Sequence, residues 1–428
     1  MITEFETKQI ISLVKREVVP AIGCTEPIAV ALCAAKAREA LGDQPDKIEV
    51  FLSANILKNA MGVGIPGTGM IGLPIAVALG ALIGKSEYEL EVLKDLTPND
   101  VESGKEIIES KSIQISLKEN IAEKLYIEVI CRKKNNQATA IISGSHTNFI
   151  YIAKDNQILF QKKNALAETD DNEVPELNLR KVYEFATTTP LEKIKFILDS
   201  ANLNKAAAEC SFKGEYGHGL GKILKGETER HIIGDNVFSK ILSYTSAACD
   251  ARMAGAMIPV ISNSGSGNQG IAASVPVAIY AQDNGNTQEE LTRALMLSHL
   301  TVIYIKQSLG RLSALCGCVI AATGSSCGIT YLMGGNYKNV SYAVKNMIAN
   351  LTGMICDGAK PSCSLKVTSG ISTAVFSAMM AMEEKCVSSV EGIIEDDVDK
   401  SIRNLTLIGS KGMNETDRYI LDIMTHKC

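Results

Sequence analysis

Two cysteines seven residues apart, Cys356 and Cys363, flank the stretch Asp357-Gly358-Ala359-Lys360-Pro361-Ser362. Thiolates are good ligands for iron, and a loop broken by glycine and proline can wrap them round one cluster where a regular helix cannot. A third thiol has to come from elsewhere. Leu312-Ser313-Ala314-Leu315-Cys316-Gly317-Cys318 is the best supplier, with Cys327 a further candidate. The spacing is neither a CxxC pair nor a ferredoxin run. Zinc accepts the same ligand type, and buried free thiols give the same pattern with no metal at all.

Gly23-Cys24-Thr25-Glu26-Pro27 offers a different chemistry. A cysteine at a helix N-terminus feels the positive end of the helix dipole, which lowers its pKa and fits it to act as nucleophile or general base. A loop thiol without a role is the plain alternative. Ser262-Asn263-Ser264-Gly265-Ser266-Gly267-Asn268-Gln269-Gly270 is a glycine-rich run whose backbone N–H groups, with Asn263, Ser264 and Asn268, could receive a carboxylate or phosphate. It is neither a Walker A loop nor a GxGxxG fingerprint, and a polar hinge between helices would look the same. Gly62 to Gly69 reads likewise. His146, where two strand patterns meet, could orient or protonate a ligand, or serve as a structural turn histidine. Arg311 could pair a substrate carboxylate bidentately, or cap the helix before it. His299 sits in an apolar helical stretch and reads as a hydrogen-bonded core residue. Cys33, Cys131, Cys210, Cys249 and Cys386 read as inert core thiols, and the terminal Cys428 as exposed.

These groups need a scaffold. Apolar spacing predicts helices over 6–18 and 27–41, with Thr25 as N-cap and Pro27 in the first turn. Alternation predicts strands over 47–53, 113–117, 124–132, 137–143, 148–153 and 157–162, with a turn at Lys134-Asn135-Asn136. A polar stretch at 166–176 reads as a linker. Beyond 179 the strand pattern fades, and helices are expected over 190–201, 237–252, 287–308, 338–353, 368–384 and 394–409. The expected fold is α+β: a large, mainly helical cluster-binding domain from 1–45 and 170–428, and a smaller α+β domain over 46–169.

Composition narrows the function classes. The chain has 428 residues, 21% charged, with a net charge of −5 and no tryptophan. No basic run stands out, which argues against a nucleic-acid surface. Residues 1–15 contain no signal-peptide apolar core, so a cytoplasmic location is expected. Twelve cysteines at irregular spacing do not make a secreted disulfide framework. Three uncharged, glycine-rich segments, 59–84, 254–281 and 312–335, are long enough to invite a membrane reading. Charged helices fill most of the remainder, so these are expected to be buried helices of a large domain, with no membrane involved.

Gly23-Cys24-Thr25-Glu26-Pro27, Pro66-Gly67-Thr68-Gly69-Met70, the Ser262 to Gly270 loop, Arg311-Leu312-Ser313-Ala314-Leu315-Cys316 and Gly353 to Cys363 occur in this order along nearly the whole chain. Together they resemble the L-cysteine desulfidase family, which is related to the iron–sulfur L-serine dehydratase alpha chain. The resemblance implies a 4Fe–4S cluster held by Cys316, Cys356 and Cys363. Cys316 matches the upstream ligand because it follows Arg-Leu-Ser-Ala-Leu; Cys318 and Cys327 do not stand at that position. Cys24 matches the family's proposed proton acceptor. The implied reaction converts L-cysteine and water to pyruvate, ammonia and sulfide without pyridoxal phosphate. Three thiolates would leave one iron open as a Lewis acid toward a small amino-acid substrate. His146, Asn263, Ser264, Asn268 and Arg311 are the candidates for holding that substrate. A serine dehydratase on the same scaffold, or a cluster-containing sensor, is the alternative, and a homodimer is the expectation from base rates.

Overall fold

The structure is a computed structural model, and it describes residues 2–427 apart from 120, 122, 163–174, 227–230 and 311. The expected linker at 166–176 therefore lies outside the described residues except for its last two, and Cys428 and Arg311 lie outside them as well.

Six strands form the main sheet: β2 (Lys47–Leu52), β3 (Ile113–Leu117), β4 (Tyr126–Lys133), β5 (Asn136–Ser143), β6 (Phe149–Lys154) and β7 (Gln157–Gln161). Their order is β3-β2-β4-β5-β6-β7, with β2 and β3 parallel and the other pairs antiparallel. Period-two alternation puts Ile48, Val50, Leu52, Ile127, Val129, Cys131, Ala138, Ala140 and Ile142 in one core. Helix α2 (Thr25–Leu41) covers this face, packed between β4, β5 and helix α4 (Leu73–Ile83). Being covered on both sides, α2 is apolar nearly all the way round, and its alanine-rich sequence follows from that. It thus shares the sheet's core, although the expected division at residue 45 assigns it to the helical part.

The rest is mainly helical, as the pattern predicts. The longer helices here are α1 (Glu4–Glu17), α3 (Ala54–Ala60), α5 (Pro98–Glu109), α6 (Leu179–Thr188), α7 (Leu198–Lys213), α8 (Val237–Met253), α9 (Gly267–Asn284), α10 (Gln288–Leu309), α11 (Gly317–Leu332), α12 (Tyr337–Leu351), α13 (Cys363–Met382), α14 (Val398–Leu407) and α15 (Asn414–Thr425). α11 is its centre, packed against α9, α10, α12 and α13. Most of α11 is buried, which accounts for the uncharged segment 312–335. The segments 59–84 and 254–281 likewise contain the buried helices α4 and α9. One helix among the described residues, α13, is long and apolar enough to cross a membrane, and half of it is buried against its neighbours.

Two short strands complete the frame. β1 (Pro20–Ile22) pairs antiparallel with β8 (Pro259–Ile261), Pro20 opposite Ile261 and Ile22 opposite Pro259. At three residues each they carry no periodicity, yet they bring the Cys24 motif beside the Ser262–Gly270 loop. Gly23 follows β1 with φ +75°, and a Cβ there would lie 2.3 Å from Pro66 Cγ. Gly23→Ala is expected to cost at least about 2 kcal/mol in a denaturant titration, from left-handed strain and overpacking together. A variant as stable as the parent would show that this turn relaxes freely.

Candidate active site

One cavity of about 110 Å³ is lined by Cys24, Glu26, Asn268, Gln269, Cys316, Cys318, Cys356 and Cys363, with others. Four helices begin there. Cys24 is the N-cap of α2, Ser266 of α9 and Cys316 of α11, while Cys363 is the first residue of α13. None of these four N-termini is closed by a side-chain cap. The positive ends of four helix dipoles therefore meet at one place, which suits thiolates and anionic ligands, although the first N–H groups of α13 are taken by the Lys360, Pro361 and Ser362 carbonyls.

The cysteine loop is pinned at both ends. Cys316 N–H donates to the Met354 carbonyl (3.0 Å), and Cys356 N–H donates to the Ala314 carbonyl (2.7 Å). This bridge binds the 312–318 stretch to the 353–363 stretch. Lys58, 1% exposed, donates to the Cys356 carbonyl (3.2 Å) and forms an ion pair with Asp417. Asp357 pairs with Lys360 and Lys366, and Lys366 also donates to the Ile355 carbonyl (2.9 Å). Burial alone would raise the Asp357 carboxyl, but these two lysines hold it at about 2.

The thiols differ in acidity. The neighbouring Cys318 thiol lowers Cys316 to about 7 against the opposing effect of burial. Burial, then the charge of Cys316, pushes Cys356 up to about 11. Burial also raises Cys363. Cys249, read from sequence as an inert core thiol, lies within electrostatic reach of both Cys363 and Cys316.

The residues can be tested for fit to a cluster. Among the described residues no three His, Cys, Asp or Glu side chains are arranged to hold a single metal ion. A cluster asks for something else: each thiolate binds its own iron, so the ligands ring a volume instead of meeting at a point. Cys316, Cys356 and Cys363 ring this cavity and feel one another's charge, and the donor set fits. Cys318 lines the cavity too, but its Sγ lies 3.0 Å from the Lys366 carbonyl and packs where a side chain on Gly370 would be. Cys327 is wholly buried about three turns farther along α11 and does not line the cavity.

Cys24 departs from expectation. Helix α2 starts at Thr25, so Cys24 is the N-cap and Thr25 is not; the Thr25 hydroxyl instead donates to the Gly265 carbonyl (2.8 Å). The helix dipole does not lower the Cys24 pKa. Its thiol is 2% exposed and donates to Glu26 Oε2 (3.0 Å). Burial, then the Glu26 carboxylate, pushes the thiol far above its ordinary range, and the nearby Arg252 only partly offsets this.

Of the expected substrate contacts, Asn268 alone lines the cavity among the described residues. Its Oδ1 accepts from Arg252 Nη1 (3.0 Å). Arg252 is 3% exposed, and sequence reading missed it because one arginine in a helix carries no motif. Asn263 is turned into the core, its amide bonded to His299 Nδ1 (3.0 Å) and to the His299 carbonyl (3.1 Å). Ser264 donates to Asn263 Oδ1 (2.8 Å). His299 completes that buried network through Ser200 (3.0 Å), and burial lowers it to about 3, so it is neutral. His146 is buried at the turn between β5 and β6 and does not line the cavity. The Gly62–Gly69 loop is a packing element: Gly64 N–H donates to the Met253 carbonyl (3.0 Å) and Gly67 N–H to the Gly255 carbonyl (3.1 Å). With those groups engaged, it does not serve as an anion cradle.

Residues 87–422 match the family model described as Serine dehydratase alpha chain. A UPF0597 protein of Bacteroides fragilis is 73% identical over 99% of both chains. UPF0597 proteins of Porphyromonas gingivalis (54% identical over 98% of both chains) and Aeromonas hydrophila (44% identical over 97% of this chain and 96% of the other) are similar along their length as well.

Proposed function

The chain belongs to the serine dehydratase alpha chain family, and from that premise we propose an iron–sulfur-dependent lyase that performs β-elimination on L-cysteine, giving pyruvate, ammonia and sulfide. The observation that carries this reading is the meeting of Cys24 with Cys316 and the Cys356/Cys363 pair around one cavity, from three separate stretches of the chain.

Cys316, Cys356 and Cys363 would hold a 4Fe–4S cluster. When bound, the cluster supplies a Lewis acid that draws electrons from the substrate and acidifies its α-proton. The remaining work belongs to the chain. The four helix N-termini favour the substrate carboxylate. Asn268, held by Arg252, offers a polar contact at the cavity wall. Cys24 accepts the α-proton, and the β-substituent leaves with the electron pair. The released enamine hydrolyses to pyruvate and ammonia in water.

The small cavity accords with a substrate of a few heavy atoms. The deaminating reaction on L-serine is the second reading, favoured by the family match itself. A single pocket contact discriminates hydroxyl from thiol. Anaerobically prepared protein is expected to be brown, to carry iron and acid-labile sulfide, and to turn over L-cysteine faster than L-serine when the two are assayed side by side. A colourless preparation holding only zinc would overturn the lyase reading, and a faster rate on L-serine would select the dehydratase.

A further inference from the structure

The proton held on Cys24 raises a problem that the neighbouring residue resolves. Cys24 is buried and protonated, so it cannot accept a second proton unless its own has somewhere to go. Glu26 Oε2 lies 3.0 Å from Cys24 Sγ and receives that proton as a hydrogen bond. Glu26 is itself 9% exposed and lines the same cavity. Among the described residues no ion pair ties it down. Its Oε2 has one further neighbour, the Thr25 hydroxyl at 3.1 Å, which also reaches the Gly265 carbonyl. A carboxylate buried this far is costly to place, and it is kept here facing a thiol inside a cavity that Lys306 also lines.

We propose that Glu26 is the proton-accepting partner of Cys24, so that the two residues form a relay. This rests on the lyase reading above. As the substrate Cα–H bond breaks, its proton joins Cys24 Sγ. The proton already on Sγ passes to Glu26 Oε2. The C–H electron pair forms the new carbon–carbon double bond, and the β-substituent departs with its own pair as hydrosulfide. Glu26 ends as a neutral acid and Cys24 as a thiol, so no free thiolate has to exist in a site where burial opposes it. Product release leaves Glu26 to return its proton to solvent or to the departing sulfide. The relay gives Glu26 a part that the acidity of Cys24 alone could not supply.

Glu26→Gln keeps the shape of the side chain and removes its ability to take a proton. It is expected to retain iron and sulfide at the parental level and to lose about a hundred-fold or more in kcat on L-cysteine, with KM little changed. Glu26→Asp should recover part of that loss. A second measurement does not depend on turnover. In the metal-free full chain, iodoacetamide labelling of Cys24 at pH 8, quantified on its peptide, should be several-fold faster in Glu26→Gln, because the negative charge beside the thiol has gone. Parental kcat in an iron-loaded Glu26→Gln would overturn the relay and leave the lyase standing. Equal labelling rates would overturn the coupling of the two side chains. Absence of turnover in the iron-loaded parental protein would remove the lyase reading and the relay with it, while the labelling would still show whether the pair is coupled.

Discussion

Cys356→Ala is expected to lose bound iron and with it turnover of L-cysteine by at least a hundred-fold, whereas Cys327→Ala keeps both. Cys356 is held at its place by backbone bonds, not by its own sulfur: its N–H donates to Ala314 and its carbonyl receives Lys58. Removing the sulfur therefore leaves the loop framed while deleting a ligand. Changes one layer further out in metal sites already cost about 10- to 100-fold, so a direct ligand should cost at least as much. Cys327 sits inside α11 away from the cavity, and its loss should cost packing only. Iron per chain, measured on anaerobically purified protein, checks the pair. The same assay on Cys316→Ala and Cys318→Ala decides the third ligand, since both thiols line the cavity. Full iron in Cys356→Ala would remove this cysteine from the site.

Asp417→Ala should be the most destabilising single change outside the cavity. Lys58 is 1% exposed, and Asp417, on α15, supplies its counter-charge. Asn55 Nδ2 also donates to Asp417 (2.6 Å). Deleting the carboxylate leaves an ammonium buried without a partner. Such a loss costs about 3–5 kcal/mol, and the lower end applies because Asp417 keeps some solvent contact. Replacing both residues, Lys58→Met with Asp417→Leu, should recover most of that stability, because no charge is then stranded. Denaturant midpoints of the three proteins test this. A loss below about 0.5 kcal/mol in Asp417→Ala would mean that Lys58 finds water or another acceptor. Because Lys58 also holds the Cys356 carbonyl, iron retention should weaken in parallel.

The sheet was largely readable from alternation, since β2, β4 and β5 each have one buried and one wetter face, and the edge strand β7 was found despite lying exposed on both sides. The long helices after 237 were readable too. α6 and α15 have a clear apolar stripe but lie among charged residues, and neither stood out. α3 is too short for a periodic pattern, while the helix expected over 190–201 is a short helix at Leu191–Ile194 and a 3-10 turn at Lys195–Ile197 leading into α7, which runs on to Lys213. The cysteine set was readable only through the order of several motifs, because the spacing of Cys356 and Cys363 alone admits zinc or plain thiols. What the letters could not convey was burial. Cys24 at a helix start suggests an acidic thiol, and only the enclosed setting with Glu26 beside it reverses the direction. Asn263 and Asn268 stand five residues apart in one loop, yet one points to His299 and the other to the cavity. That distinction arises at the turn where Ser264 takes φ +49° and α9 begins.

The position of α2 decides whether the enzyme can be taken apart. Its first residues enter the cavity while its body is enclosed by the sheet and α4. Cutting the chain near residue 45 would not release a working helical half. It would strip α2 from the layer that covers it, expose an apolar surface on both pieces and withdraw Cys24 and Glu26 from the other thiols. The smaller layer is thus a structural part of the cavity that Cys24 shares with Cys316, Cys356 and Cys363, and the chain cannot be shortened to its cysteine-bearing portion without dismantling that cavity.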